Sequence, residues 1–359
     1  MPKRSTDELF QLVKSLEKAE KRNFKLFVQR NATSSDMKTV QLFDALDKLE
    51  DYDEEALLKR NTDIKKQQLS NLKAHLYRQI LASLRILKDD NNIQLQLHEL
   101  MDYSRILYDK GLYLQSLKTL DRVKEYAREQ HQVTYWLQTL IFEKKVEALY
   151  ITRSMENRAE TLAKEVEEAG DRLTMMNKLS NLSLQLYSWY INLGHARGDK
   201  DRIAIKAFFE SNLPTTAGLY NGFYEKHYLY ESYCWYGFIL QDLLMYYRYC
   251  QKWVDAFEQE PLMKKVDTPL YIKGLHNLLN AHFVLQNYDK FNTVLDKFEH
   301  FYHSKQANSN DNNRVQCFIY LYTAKLNKHF LEGSFTAGLK LIPEIEEKII
   351  EFRLKMDRH

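Results

Sequence analysis

Trp253-Val254-Asp255-Ala256-Phe257 places an aromatic residue, a small residue three positions on and a large apolar residue directly after it. On an α-helix positions i, i+3 and i+4 share a face, so the small side chain lets a neighbouring helix come close while the ring fills the space at the turn. Tyr113, Ser116 and Leu117 repeat the spacing, as do Phe335, Gly338 and Leu339; Tyr288 and Phe291 keep the aromatic start with a bulky residue in the small position. From Ile93 onward long segments of helical apolar periodicity alternate with somewhat shorter ones, several of which open on these anchors, and this predicts paired helices. Such hairpins cannot bury their apolar faces alone and therefore stack on their neighbours.

Composition agrees with an all-α chain. Of 359 residues only 10 are Gly and 5 are Pro, against about 7% and 5% in average proteins, so strands and long loops are short of their usual punctuation. Hydrophobic residues at 44% with 28% charged residues predict an ordered globular chain. A net charge of +3 lacks the strong positive field of a dedicated nucleic-acid binder, so any basic footprint must be local. Met1 to Glu8 passes straight into an amphipathic pattern without an apolar signal core, which predicts a cytoplasmic protein. The uncharged run from Ser232 to Gln241 is about half the ~20 residues a membrane span needs. Cys234, Cys250 and Cys317, odd in number and widely spaced, read as buried reduced thiols and not as a disulfide framework.

Residues 1–90 read as an N-terminal helical bundle. Leu9, Leu12, Val13 and Leu16, then Phe24, Leu26, Phe27 and Val28, recur at helical spacing. The polar break Asn31-Ala32-Thr33-Ser34-Ser35-Asp36 offers caps for a helix carrying Val40, Leu42, Phe43, Leu46 and Leu49. Tyr52-Asp53-Glu54-Glu55 opens a short helix with acids at its positive end. A long helix follows with Leu69, Leu72, Leu76, Ile80 and Leu87 on one stripe, ending near Lys88 before the linker Asp89-Asp90-Asn91-Asn92. Residues 91–359 hold the hairpins. Within them, the polar tract at 304–313 reads as a mobile loop that contributes nothing to the core, and Ile342, Ile345, Ile349, Phe352 and Met356 mark a C-terminal capping helix that starts or kinks at Pro343.

The hairpin anchors resemble the tetratricopeptide-like family of α-solenoids over roughly residues 93–359. That resemblance implies a superhelix of about five or six hairpins with a concave binding face. The anchors fall at irregular intervals, mostly longer than the ~34-residue tetratricopeptide period, and the Trp-Leu-Gly signature of standard units is missing. Leu12-Val13-Lys14-Ser15-Leu16 followed by Glu20-Lys21-Arg22-Asn23-Phe24-Lys25-Leu26-Phe27 is also similar to the opening of a family of uncharacterised bacterial helical-repeat proteins, which implies no known activity.

The sequence carries no phosphate-binding loop, dinucleotide fingerprint, Cys-x-x-Cys or His-Glu-x-x-His. His300 and His303, three apart, are the nearest approach to a metal pair, and solvated histidines at a helix end are the commoner meaning of such a pair. No cofactor or metal is therefore expected, and the chain reads as non-catalytic. Two surfaces remain. Tyrosines and other aromatics from Tyr220 to Tyr249 would surround nearly the whole circumference of one long helix. The prevailing reading is a central buried helix; the functional reading places Tyr224, Tyr228, Trp235 and Tyr246 in a groove as anchors for a peptide or helix of a protein partner. The long basic helix offers Lys66, Lys73, Arg78 and Arg85 to an anionic partner, although its charges spread over a broad arc as on a solvated face. The preferred function is thus a protein-interaction scaffold. The alternative is a nucleic-acid-linked regulator that uses the basic helix while the repeats act as sensor.

Overall fold

The computed structural model describes residues 7–30, 34–60, 64–88, 92–149, 157–214 and 222–352, and every regular element among them is helical. The chain divides into two compact units, one formed by residues 1–96 with the C-terminal residues from Ile349, the other by Leu97–Lys348.

In the first unit α1 (Glu8–Ser15), α2 (Lys18–Arg30), α3 (Ser34–Lys48) and α4 (Glu54–Arg60) precede α5 (Lys66–Lys88). α1, α2 and α3 all pack on α5, because its stripe of Leu69, Leu76 and Ile80 is fully buried. Phe24 and Phe43 meet at the centre with ring centroids 4.7 Å apart. The short α4 starts where expected: Asp53 accepts the amides of Glu55 (2.9 Å) and Ala56 (3.0 Å), satisfying donors that a helix start leaves open. Leu26 and Leu87, read as stripe residues, are exposed instead. The capping residues anticipated at Asn31-Ala32-Thr33 and the linker residues 89–91 lie outside the described residues; Asn92 caps the next helix through the amides of Gln94 and Leu95.

The remaining helices are α6 (Ile93–Asp109), which enters the second unit at Leu97, α7 (Tyr113–Glu129), α8 (Val133–Leu149), α9 (Arg158–Leu193), α10 (Asp199–Asn212), α11 (Phe223–Leu240), α12 (Leu243–Gln259), α13 (Met263–Val266), α14 (Thr268–Val284), α15 (Tyr288–Tyr302), α16 (Asp311–Glu332), α17 (Phe335–Leu339) and α18 (Ile342–Phe352), which leaves it after Lys348. Neighbours pack in chain order: α7 on α8, α8 on α9, α9 on α11, α11 on α12, α12 on α14, and α14 on both α15 and α16. Five connections share one geometry. A residue in the left-handed region (Gly111, His131, Gln241, Gln286 or Gly333) ends a helix. The next amide then returns to the carbonyl five residues back: Leu112 to Leu107, Gln132 to Ala127, Asp242 to Gly237, Asn287 to His282, and Ser334 to His329, all at 2.7–3.0 Å. This backbone cap satisfies terminal carbonyls without side chains, which explains how a glycine-poor chain turns so often.

The anchor spacings do what close packing requires. Ser116 donates to the Ser104 carbonyl at 2.8 Å, bringing α7 onto α6. Trp253 is fully buried against Gly274 of α14. A methyl group at Gly274 would sit 2.9 Å from the indole, and the indole N–H donates to the Leu270 carbonyl at 3.1 Å. The third anchor is only half realised: Gly338 lies against His329, whereas Phe335 and Leu339 point outward.

Three expectations are corrected. The aromatic stretch is not one helix but an antiparallel pair, α11 and α12, broken at Gln241 (φ +59°) and restarted by Asp242, which accepts the Met245 amide at 2.9 Å; Tyr220 lies outside the described residues. The polar tract does reach the core: Ala307 is buried, and the Asn308 side chain donates to the carbonyls of Tyr302 and Ser304 while that of Asn313 donates to Gln306. Asparagine side chains supply there the backbone partners that a helix would have supplied. On α18, which begins at Ile342 with Pro343 in its first turn, Ile342 and Ile349 are exposed and Phe352 is buried; Met356 lies outside the described residues.

Candidate functional site

Polar residues recur on the partly buried face of α14 at Lys273, His276, Asn277 and Asn280, the i, i+3, i+4, i+7 rhythm of one helix side. On α11 the same rhythm is kept by Glu231, Cys234, Trp235 and Phe238. Between these two faces, with Tyr190 from α9 and Tyr246 and Trp253 from α12, lies a cleft of about 180 Å³. Its walls are aromatic: Trp235 packs on Tyr187 (4.8 Å) and Tyr190 (5.7 Å), and Phe238 on Tyr190 (5.2 Å) and Tyr246 (5.1 Å).

The charges around the cleft cancel. Lys273 Nζ lies 2.6 Å from Glu231 Oε1. Burial opposes ionisation of Glu231, but the charge and hydrogen bond of Lys273, with a hydrogen bond from Ser183, outweigh it and hold the carboxyl below its ordinary value. His227, fully buried one turn before Glu231, has neither ring nitrogen hydrogen-bonded. Burial, helped by Lys273 and opposed by Glu231, pushes its pKa down to about 4. Burial and Lys273 likewise push His276 down to about 4, so its imidazole, stacked on Tyr320 at 4.2 Å, is neutral at pH 7. Tyr246 is the polar post of the site. Its hydroxyl donates to the Asn277 carbonyl and accepts from Asn280 Nδ2, both at 3.3 Å.

In the wall of the cleft Cys234 meets Cys250, with sulfurs 3.6 Å apart. Both are buried free thiols, as is Cys317. Burial raises the thiol pKa of Cys234, and pushes that of Cys317 up to about 12.

Of the four aromatic candidates, Trp235 and Tyr246 line this cleft and Tyr224 and Tyr228 do not. Tyr224 sits at the start of α11 with its hydroxyl 3.3 Å from Asp267, whose carboxyl burial pushes up to about 6 against the hydrogen bonds from Tyr224 and Leu270. Tyr228 stacks on Tyr224 with centroids 6.4 Å apart.

The four basic candidates do not converge. At 100° per residue Lys66 and Lys73 fall on one line of α5, and Arg78 and Arg85 on another about 100–140° away. Lys73 is already engaged, 2.6 Å from Asp7 and hydrogen-bonded to the Tyr52 hydroxyl. A wider cleft of about 580 Å³ between α1 and α5 is lined by Asp7, Glu8, Lys73, Tyr77 and Arg78 among others, two acids facing two bases. His300 and His303 are exposed at the end of α15. No group of three or more His, Cys, Asp or Glu among the described residues is placed to hold a metal, and no described helix is long and apolar enough to cross a membrane.

The sequence reading passed over Asn277, Asn280 and Glu231 as site residues. The available signal was the polar rhythm on α14, hidden inside an otherwise apolar helix. No protein-family model, curated protein or solved structure matches the chain significantly.

Proposed function

We propose that the protein is a non-catalytic binding protein whose second unit, a tetratricopeptide-like array of hairpins, holds a peptide or an extended segment of a protein partner along the face of α11 and α14. The cleft carries this reading. It combines rigid aromatic walls with a few uncharged hydrogen-bonding groups, the composition of a binding site. The recurrent helix caps and the chain-order packing of α7 to α16 support the repeat architecture. Phosphate binding by α5 has less support, because Lys73 is held by Asp7 and the remaining bases face different sides.

The test is selection of random linear peptides on the immobilised full-length chain, followed by fluorescence anisotropy of the recovered peptides. Peptides should bind at one per chain, and Trp235→Ala should raise Kd tenfold or more while the circular dichroism spectrum is kept. That factor is about 1.4 kcal/mol, within the range of an aromatic anchor. Recovery of no saturable peptide, or equal binding by the variant, would refute the proposal.

A further inference from the structure

The hydrogen bonds at Tyr246 decide which groups the cleft offers to an occupant. Asn280 spends its amide nitrogen on the Tyr246 hydroxyl, which fixes its carboxamide and leaves Oδ1 as an acceptor. Asn277 lends Tyr246 only its backbone carbonyl; nothing among the described residues hydrogen-bonds its side chain, so both a donor and an acceptor remain. These two carboxamides are three residues apart on one helix face, about 5–6 Å between their Cβ atoms. Beside them stands His276, whose ring stacks on Tyr320.

The same geometry excludes charged ligands. Lys273, whose Nζ lies 5.8 Å from the Trp253 ring of the cleft wall, is matched by Glu231 at 2.6 Å. A carboxylate or phosphate entering here would lose its water and gain no unpaired cation, and an ammonium group would find no free carboxylate; burying such a charge is strongly unfavourable. An uncharged group with one N–H and one C=O fits the carboxamides: a trans peptide bond turns its N–H and C=O to opposite sides, so Asn280 Oδ1 can accept the N–H while the Asn277 carboxamide donates to the C=O. The cleft of about 180 Å³ is smaller than the ~300–1,000 Å³ of pockets for drug-sized ligands. Its scale is that of one large apolar side chain between Trp235, Phe238 and Trp253.

Resting on the binding function proposed above, we infer that the cleft recognises an internal peptide bond with its adjoining apolar or aromatic side chain, and not a chain terminus or an acidic residue. Asn277 and Asn280 read the amide, Tyr246 positions the Asn280 carboxamide, and the aromatic walls hold the side chain.

The probes are N-acetyl-phenylalaninamide, with phenylpropionate and phenethylammonium as charged counterparts of similar size. The full-length protein, labelled with fluorotryptophan, gives four fluorine resonances assigned by single Trp→Phe variants. Trp235 and Trp253 should shift saturably with the capped amide, while Trp136 and Trp189, which do not line the cleft, stay in place. Both charged probes should bind at least tenfold more weakly, and Asn277→Ala should weaken the amide tenfold while leaving the unliganded spectrum intact. Binding should be constant between about pH 5.5 and 8, since His276 does not titrate there. Equal or tighter binding of either charged probe, unchanged binding by Asn277→Ala, or no saturable shift at all would overturn the inference. Selected peptides that depend on Trp235 but bind equally well to Asn277→Ala would sink it while leaving the binding function standing.

Discussion

Replacing His227 by Leu should flatten the acid sensitivity of the second unit. In the folded chain the imidazole is sealed, with its ring edge-on to Trp253 at 4.6 Å and no hydrogen bond to either nitrogen. The charged groups facing it are Glu231 on its own helix and Lys273 from α14. Its pKa falls from 6.5 to about 4 on folding, so between those values the unfolded chain binds a proton that the folded one refuses. Stability is therefore full above pH 6.5, declines as the pH drops, and has lost this contribution once the pH passes below about 4. A displacement of that size corresponds to about 3 kcal/mol. His276, displaced the same way, will still weaken the variant in acid. Asp267, pushed up to about 6, acts in the opposite direction, gaining stability as the pH falls through 6. All four tryptophans lie in the second unit, so urea unfolding followed by tryptophan emission reports that unit alone. Between about pH 7 and 4 the wild type should lose about 3 kcal/mol more than His227→Leu, while near pH 7 the two should agree within about 1 kcal/mol, because the substitution removes unpaired polar atoms as well as packing. Parallel pH profiles for the two proteins would refute the assignment of a neutral buried His227.

Gly274→Ala should cost about 1–3 kcal/mol in the same assay, since its methyl group displaces the Trp253 indole from the Leu270 carbonyl; an unchanged urea midpoint would contradict that packing. Gln241→Gly and Gln286→Gly should each stabilise by about 0.5–1 kcal/mol, because glycine holds the left-handed cap without the Cβ penalty; a lowered midpoint would argue against the shared cap geometry. Lys73→Met should speed amide hydrogen exchange in α1 and α5 by mass spectrometry, whereas Lys66→Gln should leave it unchanged, as only Lys73 bridges to Asp7. Alkylation of the native protein should be slow at all three cysteines and should accelerate in urea; rapid labelling of Cys234 in the native state would show that the thiol is not sealed.

The helical class and most helix positions were legible because apolar periodicity and capping residues act locally: Asp53 at the start of α4 and Ser116 against Ser104 need only nearby residues to be understood. The break between α11 and α12 was hidden because its turn residue is a glutamine, and the surrounding aromatics carry the same apolar signal on both helices. Only Asp242, a capping residue in mid-pattern, marked it. The cleft was harder to read, since it is made by residues far apart in sequence. Trp235 and Tyr246 draw attention by their size, but Asn277 and Asn280 gain meaning only once Tyr246, some thirty residues earlier, is placed beside them. Phe335 shows the opposite failure, a well-formed local pattern whose ring meets Phe330 of α16 at 5.7 Å and yet stays exposed.

The chain-order packing of the second unit also bears on how it is made. A helix that rests on its predecessor, or on the one before that, finds its partner already synthesised when it leaves the ribosome, and partners separated by a few tens of residues close their loops quickly. The growing chain can therefore fold from its N-terminal side while translation continues. Longer reaches must wait: the bridge between His131 and Glu260, 2.9 Å long, joins the turn after α7 to the end of α12 and can form only after the intervening helices have been laid down.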